Sequence, residues 1–250
     1  MEKTEDITTN ADLMKLLDSL LREPETFWNQ FYEDREKPIP FFEHVPDENL
    51  VSYISDYAIP HGRVLEIGSG PGRNAIYLAK QGFQVDAVDL AQKAIDWGNE
   101  RAKEEAVEVN FIHSSLFDLE VEPERYDLIY DSGCFHHLAP HRRISYLDFI
   151  QKALKPEGYF GLTCFVPDGP LGGAVISDRE VYEKQTLNGG LGYSKERLRS
   201  LFNRFDPIEM REMRETQDPT LFGVNGLMTA LFKKEKRNNL NGSKTVVSSM

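Results

Sequence analysis

Residues 63–74 read RVLEIGSGPGRN, and this passage from an apolar run into a glycine-rich bend constrains the fold more than any other stretch. Val64, Leu65 and Ile67 have the character of a short strand, after which Gly68, Gly70 and Gly72 require the chain to turn sharply. Residues 73–80 then show helical spacing and stop before Gly82, and a second strand, QVDAVDL, carries Asp89 at its end. Strand, bend, helix and strand make half of a nucleotide-binding βαβ unit. Glycines let the backbone approach a ligand, and the start of the helix offers unpaired N–H groups there. An acid closing the second strand can accept both hydroxyls of a ribose.

The bend also discriminates between ligands. A dinucleotide fingerprint counted from Gly68 needs its third glycine at position 73, where Arg73 stands, so an NAD(P)-dependent oxidoreductase is the weaker reading. The pattern present is E-x-G-x-G-x-G, opened by Glu66 inside the strand. It resembles motif I of the class I S-adenosylmethionine-dependent methyltransferases, with Asp89 where that family places its ribose-binding acid. The resemblance implies an α/β, Rossmann-like doubly wound sheet of seven strands in the order 3-2-1-4-5-7-6, with an N-terminal helical lid. It also implies that S-adenosyl-L-methionine is held by Glu66 through the loop, by Gly68, Ser69, Gly70 and Gly72, and by Asp89 with the adjoining Leu90.

Composition narrows the class further. The 250 residues suit one α/β domain with an extension, and 41 acidic against 29 basic residues leave a formal charge of −12. Such a surface repels nucleic acid, so neither DNA nor RNA is an expected partner. Cys134 and Cys164 both sit in apolar surroundings and read as buried reduced thiols. The first residues, MEKTEDITTN, are polar and acidic, and no run approaches the length of a membrane span, so a soluble cytoplasmic protein is expected.

In chain order, Asn10 is placed to cap a helix whose Leu13, Leu16, Leu17, Leu20 and Leu21 share one side. Trp28, Phe31 and Tyr32 follow on a short helix and either pack onto the core or, as such N-terminal helices do in the resembled family, close over the pocket. Trp28 and Tyr32 are the candidate substrate-binding walls. After the second strand, helix 91–106 leads to strand 109–115 and the segment SSLFDL. There the family often has an acid on the adenine amino group; Ser115 aligns with it and Asp118 lies three residues on, so either a backbone N–H near Leu116 or Asp118 could serve the ring, Asp118 being equally readable as a turn residue.

The fourth strand, 126–130, and its exit, DSGCFHHL, resemble motif II of small-molecule methyltransferases, especially the thiopurine and tellurite types. That places Asp131 beside the cofactor's amino acid end or the acceptor, and His136 and His137 on the acceptor side. One histidine could act as a general base near neutrality, or it could simply cap a turn or pack on the lid. Neighbouring side chains in a loop point apart and no third ligand is supplied, so no metal site is expected. Helix 140–154 ends in KPEG, which with the strand from Gly158 resembles motif III. Residues 167–192 are glycine-rich and long enough to suggest a mobile acceptor-side loop, and two final strands, 208–215 and 225–233, suit an antiparallel hairpin. The expected division is a lid over 1–46, a cofactor-binding domain over 47–234 and a disordered tail over 235–250.

The expected activity is methyl transfer to oxygen, sulfur, nitrogen or a chalcogen of a small molecule by in-line displacement. Because the cofactor brings the activated group, the protein mainly aligns the partners and excludes water. A catalytically silent S-adenosylmethionine-binding module is the alternative from a different class.

Overall fold

The strands of the computed structural model, which describes residues 6–236, form one sheet whose central members are apolar on both faces. They are β1 (Arg63–Ile67), β2 (Gln84–Asp89), β3 (Asn110–His113), β4 (Tyr126–Ser132), β5 (Leu154–Phe165), β6 (Asp206–Glu212) and β7 (Leu227–Lys233). The order is β3-β2-β1-β4-β5-β7-β6, the predicted one. All neighbours run parallel except β7, which is antiparallel to both β5 and β6. The tail expected to be disordered lies, from residue 237, outside the described residues.

Alternation along the strands divides the core between two faces. Leu65, Ile67 and Ile129 pack with α6 (Arg142–Ala153) and α8 (Lys195–Leu201) through Ile150, Ala153 and Leu198. Val64, Leu128 and Tyr130 pack with α3 (Glu48–Asp56) and α4 (Arg73–Lys80) through Leu50, Tyr53 and Leu78. Register brings the carboxyl ends together: Ile67 lies opposite Val88 on one side and Asp131 on the other. The order of the strands reverses between β1 and β4, so the crevice above those ends is where a ligand can sit.

Over that edge lie α1 (Asn10–Ser19), α2 (Pro24–Phe31) and a 3-10 turn, Pro40–Phe42, while α5 (Gln92–Glu104) flanks β2 and β3. Several expected boundaries move for local reasons. Thr9, not Asn10, caps α1, accepting from Asp12 N–H while the Asp12 carboxylate accepts from Thr9 N–H. The segment 167–192 is not a bare loop: it carries α7 (Asp178–Glu183), closed by the reciprocal cap of Ser177 and Glu180. The start of β5 at Leu154 takes in the KPEG turn, where Glu157 adopts a φ of +61° and the register against β4 shifts.

Candidate cofactor and acceptor site

The glycine bend has a left-handed backbone at each of its three glycines, with φ of +63° at Gly68, +53° at Gly70 and +75° at Gly72. A side chain would also collide with a different neighbour at each place: Cβ would lie 2.7 Å from Cys134 Cβ at position 68, 2.9 Å from Tyr32 Oη at position 70 and 2.5 Å from Phe111 Cζ at position 72. Much of the demand for glycine therefore comes from the protein's own packing. Gly72 serves as N-cap of α4 and is not among the residues bordering the cavity.

Asp89 faces the bend. Its Oδ2 accepts from Gly70 N–H and its Oδ1 from Ala91 N–H, each at 2.8 Å, and the side chain lines the cavity. One lone-pair site on each oxygen is committed and the other remains for a ligand. Burial raises the carboxyl's pKa, and the two backbone N–H groups oppose that. Glu66 lies deeper; its Oε2 is buried without a hydrogen-bond partner among the described residues, and burial, opposed by Arg73, pushes its pKa up to about 8. A buried, unpartnered carboxyl oxygen at a cavity wall suits a cationic ligand group.

The cavity beside this bend has a volume of about 900 Å³. Glu66, Gly68, Ser69, Gly70, Asp89 and Leu90 all line it, and so do Ser115 and Leu116. Asp118 does not; its N–H bonds Ser115 O at 3.1 Å and its side chain is exposed, which favours the turn reading. Trp28 and Tyr32 line the cavity as well. Phe31 turns away from it and packs at 5.6 Å from Phe42.

Asp131 is brought to the correct edge and then covered. Its Oδ1 accepts from Cys134 N–H at 2.8 Å and Phe135 N–H at 3.3 Å, its Oδ2 from Tyr146 O–H at 2.6 Å, and it is not among the cavity residues. In the structure the carboxylate shapes the exit loop from beneath. Burial raises its pKa to about 6.

His136 and His137 both line the cavity, but not as separated loop side chains. A 3-10 turn, Phe135–His137, holds their rings 4.2 Å apart and tilted by 58°, with His136 stacked on Phe165 at 3.7 Å and His137 edge-on to Trp28 at 4.9 Å. Burial, reinforced by His137, takes the pKa of His136 well below the ordinary value, and burial with the nearby Arg22 lowers that of His137 to about 4. Both rings are neutral at pH 7 and are weak bases, which removes the near-neutral pKa on which the general-base expectation rested.

Sequence reasoning treated Arg73 only as a missing glycine. In the structure it borders the cavity, pairs with buried Asp47 at 2.5 Å, donates to Ser132 Oγ at 3.1 Å and lies over the Phe222 ring at 4.2 Å. Its place at the first turn of α4, directly after the bend, was the available signal.

Fold, bend and cavity define a Rossmann-like α/β domain with a ligand crevice above the carboxyl ends of its strands, and part of it is similar to methyltransferases. The family model described as a methyltransferase domain matches residues 64–158, the part of the chain from β1 to the KPEG turn. An uncharacterized methyltransferase of Schizosaccharomyces pombe is 35% identical over 78 residues, 31% of this chain and 54% of that protein. The chain spans about half the length of such curated relatives. Among solved structures, one from work on conversion of a disulfide bond into a thioacetal group during echinomycin biosynthesis aligns with a TM-score of 0.68 at 21% identity, covering 87% of this chain and 94% of that one. The 1,6-didemethyltoxoflavin-N1-methyltransferase of Burkholderia thailandensis, solved with 1,6-didemethyltoxoflavin and S-adenosylhomocysteine, aligns with a TM-score of 0.65 at 19% identity, covering 92% of each chain. At these identities the likeness is one of fold. No helix among the described residues is long and apolar enough to cross a membrane.

Proposed function

We propose that this chain binds S-adenosyl-L-methionine and transfers its methyl group to a small-molecule acceptor. The observation that carries the reading is Asp89, hydrogen-bonded to the glycine bend yet open to a roomy cavity on its other lone pairs. Asp89 would hold the ribose hydroxyls, Leu90, Ser115 and Leu116 the adenine side, and Glu66 Oε2 the cationic amino acid end, where a carboxyl oxygen lacks a partner and a bound cation would favour its ionised form. When bound, the cofactor supplies a methyl group already activated on a sulfonium, so the chain needs to align and dry the acceptor more than to activate it.

Trp28 and Tyr32 from the lid, with His137 and Phe165 opposite, enclose the acceptor half in rings. His136 and His137, neutral at pH 7, act there as walls and single hydrogen-bond partners. Acceptors that are nucleophilic without help, such as thiolates, chalcogen oxyanions and heteroaromatic nitrogens, suit this better than an aliphatic hydroxyl. The neighbour solved with 1,6-didemethyltoxoflavin and S-adenosylhomocysteine bound supports the small-molecule class. The charge of −12 gives no support to a nucleic acid acceptor.

Titration calorimetry with S-adenosylmethionine, S-adenosylhomocysteine and NAD tests the cofactor: binding of the first two and not of NAD is expected, and binding of NAD alone overturns the proposal. A screen of thiol, phenol, amine and chalcogen-oxyanion acceptors for S-adenosylhomocysteine release tests the reaction. Cofactor binding without turnover on any class would instead support the silent module.

A further inference from the structure

Two walls of the acceptor half come from segments that the sheet does not fix. The lid contributes Lys15, Asp18 and Arg22, and the insert 167–192 contributes Leu171 and Leu187. No residue of α1 is fully buried, so apolar packing alone holds that helix weakly. What pins it is Asp18 near its end. Asp18 Oδ1 bonds His141 Nε2 at 2.8 Å and accepts from Arg142 Nε at 3.1 Å, while its Oδ2 pairs with Arg142 Nη2.

His141 is itself held from the insert. Tyr182 Oη, on α7, accepts from the backbone N–H of His141 at 3.0 Å and bonds His141 Nδ1 at 2.7 Å. With that N–H occupying one lone pair, the tyrosine hydrogen is free to point at Nδ1. An Nδ1 that accepts leaves the hydrogen of a neutral ring on Nε2, which faces the Asp18 carboxylate. Burial lowers the pKa of His141 although Asp18 raises it, consistent with the neutral ring.

The geometry points to His141 as a tautomer-locked latch, through which the acceptor-side insert fixes the amino-terminal lid: Tyr182 sets the ring, and the ring holds Asp18. His141 and Tyr182 are positioning residues, and a shift of α7 is felt at α1 through the His141 ring. That these walls enclose an acceptor rests on the function proposed above; the latch itself does not.

The test uses the full chain without ligand. Imidazole 15N shifts of His141 are expected to report hydrogen on Nε2. Tyr182→Phe is expected to speed amide hydrogen exchange in α1 by roughly 2- to 10-fold, the effect of one hydrogen bond, with exchange in β1 to β5 unchanged. Asp18→Ala, at a half-exposed position where folding is safe, is expected to loosen α1 more. Adding Tyr182→Phe to Asp18→Ala is expected to change α1 no further, because the latch is already open. Hydrogen on Nδ1 in the unmodified chain, unaltered α1 exchange in Tyr182→Phe, or additive effects in the double variant would each overturn the latch. None of these readouts depends on methyl transfer, so failure of the proposed function is seen separately, as absent cofactor binding.

Discussion

Asp89 and Asp131 each close a strand of the sheet, yet only the first remains open to the cavity. The difference lies in what folds over them: Asp131 is sealed by the Cys134 and Phe135 N–H groups and the Tyr146 hydroxyl, whereas Asp89 is tied by one backbone bond on each oxygen. Strand-end acids were legible in the sequence, but the path of the exit loop was not, because it depends on Tyr146 of a later helix. Asp89→Ala is expected to weaken S-adenosylhomocysteine binding roughly 10- to 100-fold, the worth of charged hydrogen bonds, as read by calorimetry. Asp131→Asn is expected to leave that affinity nearly unchanged while lowering the melting temperature. Glu66 gives a prediction with a sign. Its pKa, pushed up to about 8 by burial, exceeds the ordinary 4.5, so the folded chain keeps a proton that the unfolded chain releases. That contribution to stability is full below 4.5 and is lost as pH rises towards 8. Stability relative to Glu66→Gln therefore declines over this window, and melting curves of both proteins at about pH 5 and about pH 8 measure it.

Among elements, the approach to α3 is joined to α4 and β4 by one buried polar cluster. Asp47 pairs with Arg73, accepts from Tyr130 O–H at 2.6 Å and from Asn74 Nδ2 at 3.1 Å, and donates its own N–H to Asn74 Oδ1 at 2.9 Å. Asp47→Ala strands the guanidinium and is expected to cost about 3–5 kcal/mol in urea unfolding, because an unpaired buried charge remains. The pairing joins residues distant in sequence, so periodicity could not announce it. The strands and most helices were readable because each carries its own apolar repeat. α7 was missed although S-D-R-E at 177–180 spells a capping box, since the surrounding glycines and prolines drew the segment towards a loop reading. The two amino-terminal helices were legible from their leucines and aromatics, whereas the fastening of α1 through Asp18 was not, for a lone acid on an exposed helix has no distinguishing pattern.

For the whole molecule, binding and stability are linked. A ligand held only by the folded chain at 100 times its dissociation constant adds about 2.7 kcal/mol. For a chain of this size that is expected to raise the melting temperature by roughly 5–10 °C with S-adenosylhomocysteine and not at all with NAD, as differential scanning fluorimetry would show. The order of the sheet was fully legible because it follows from the family that the bend resembles; the cavity's enclosure was only partly so, since it depends on how residues 15–41 and the insert 167–192 return over the sheet. One feature at the far margin of that sheet reaches into the bend. The Phe111 ring of β3 fills the space where a side chain would stand both at Gly72, 2.5 Å from the missing Cβ, and at Gly98 of α5, at 2.6 Å. A single phenyl group thus acts as a wedge driven between two helices, and the three positions form a size-complementary set. Natural variants carrying alanine at 72 or 98 are expected to carry a smaller residue at 111, so the sheet's outermost strand shares in the inheritance of the loop it never touches by hydrogen bonding.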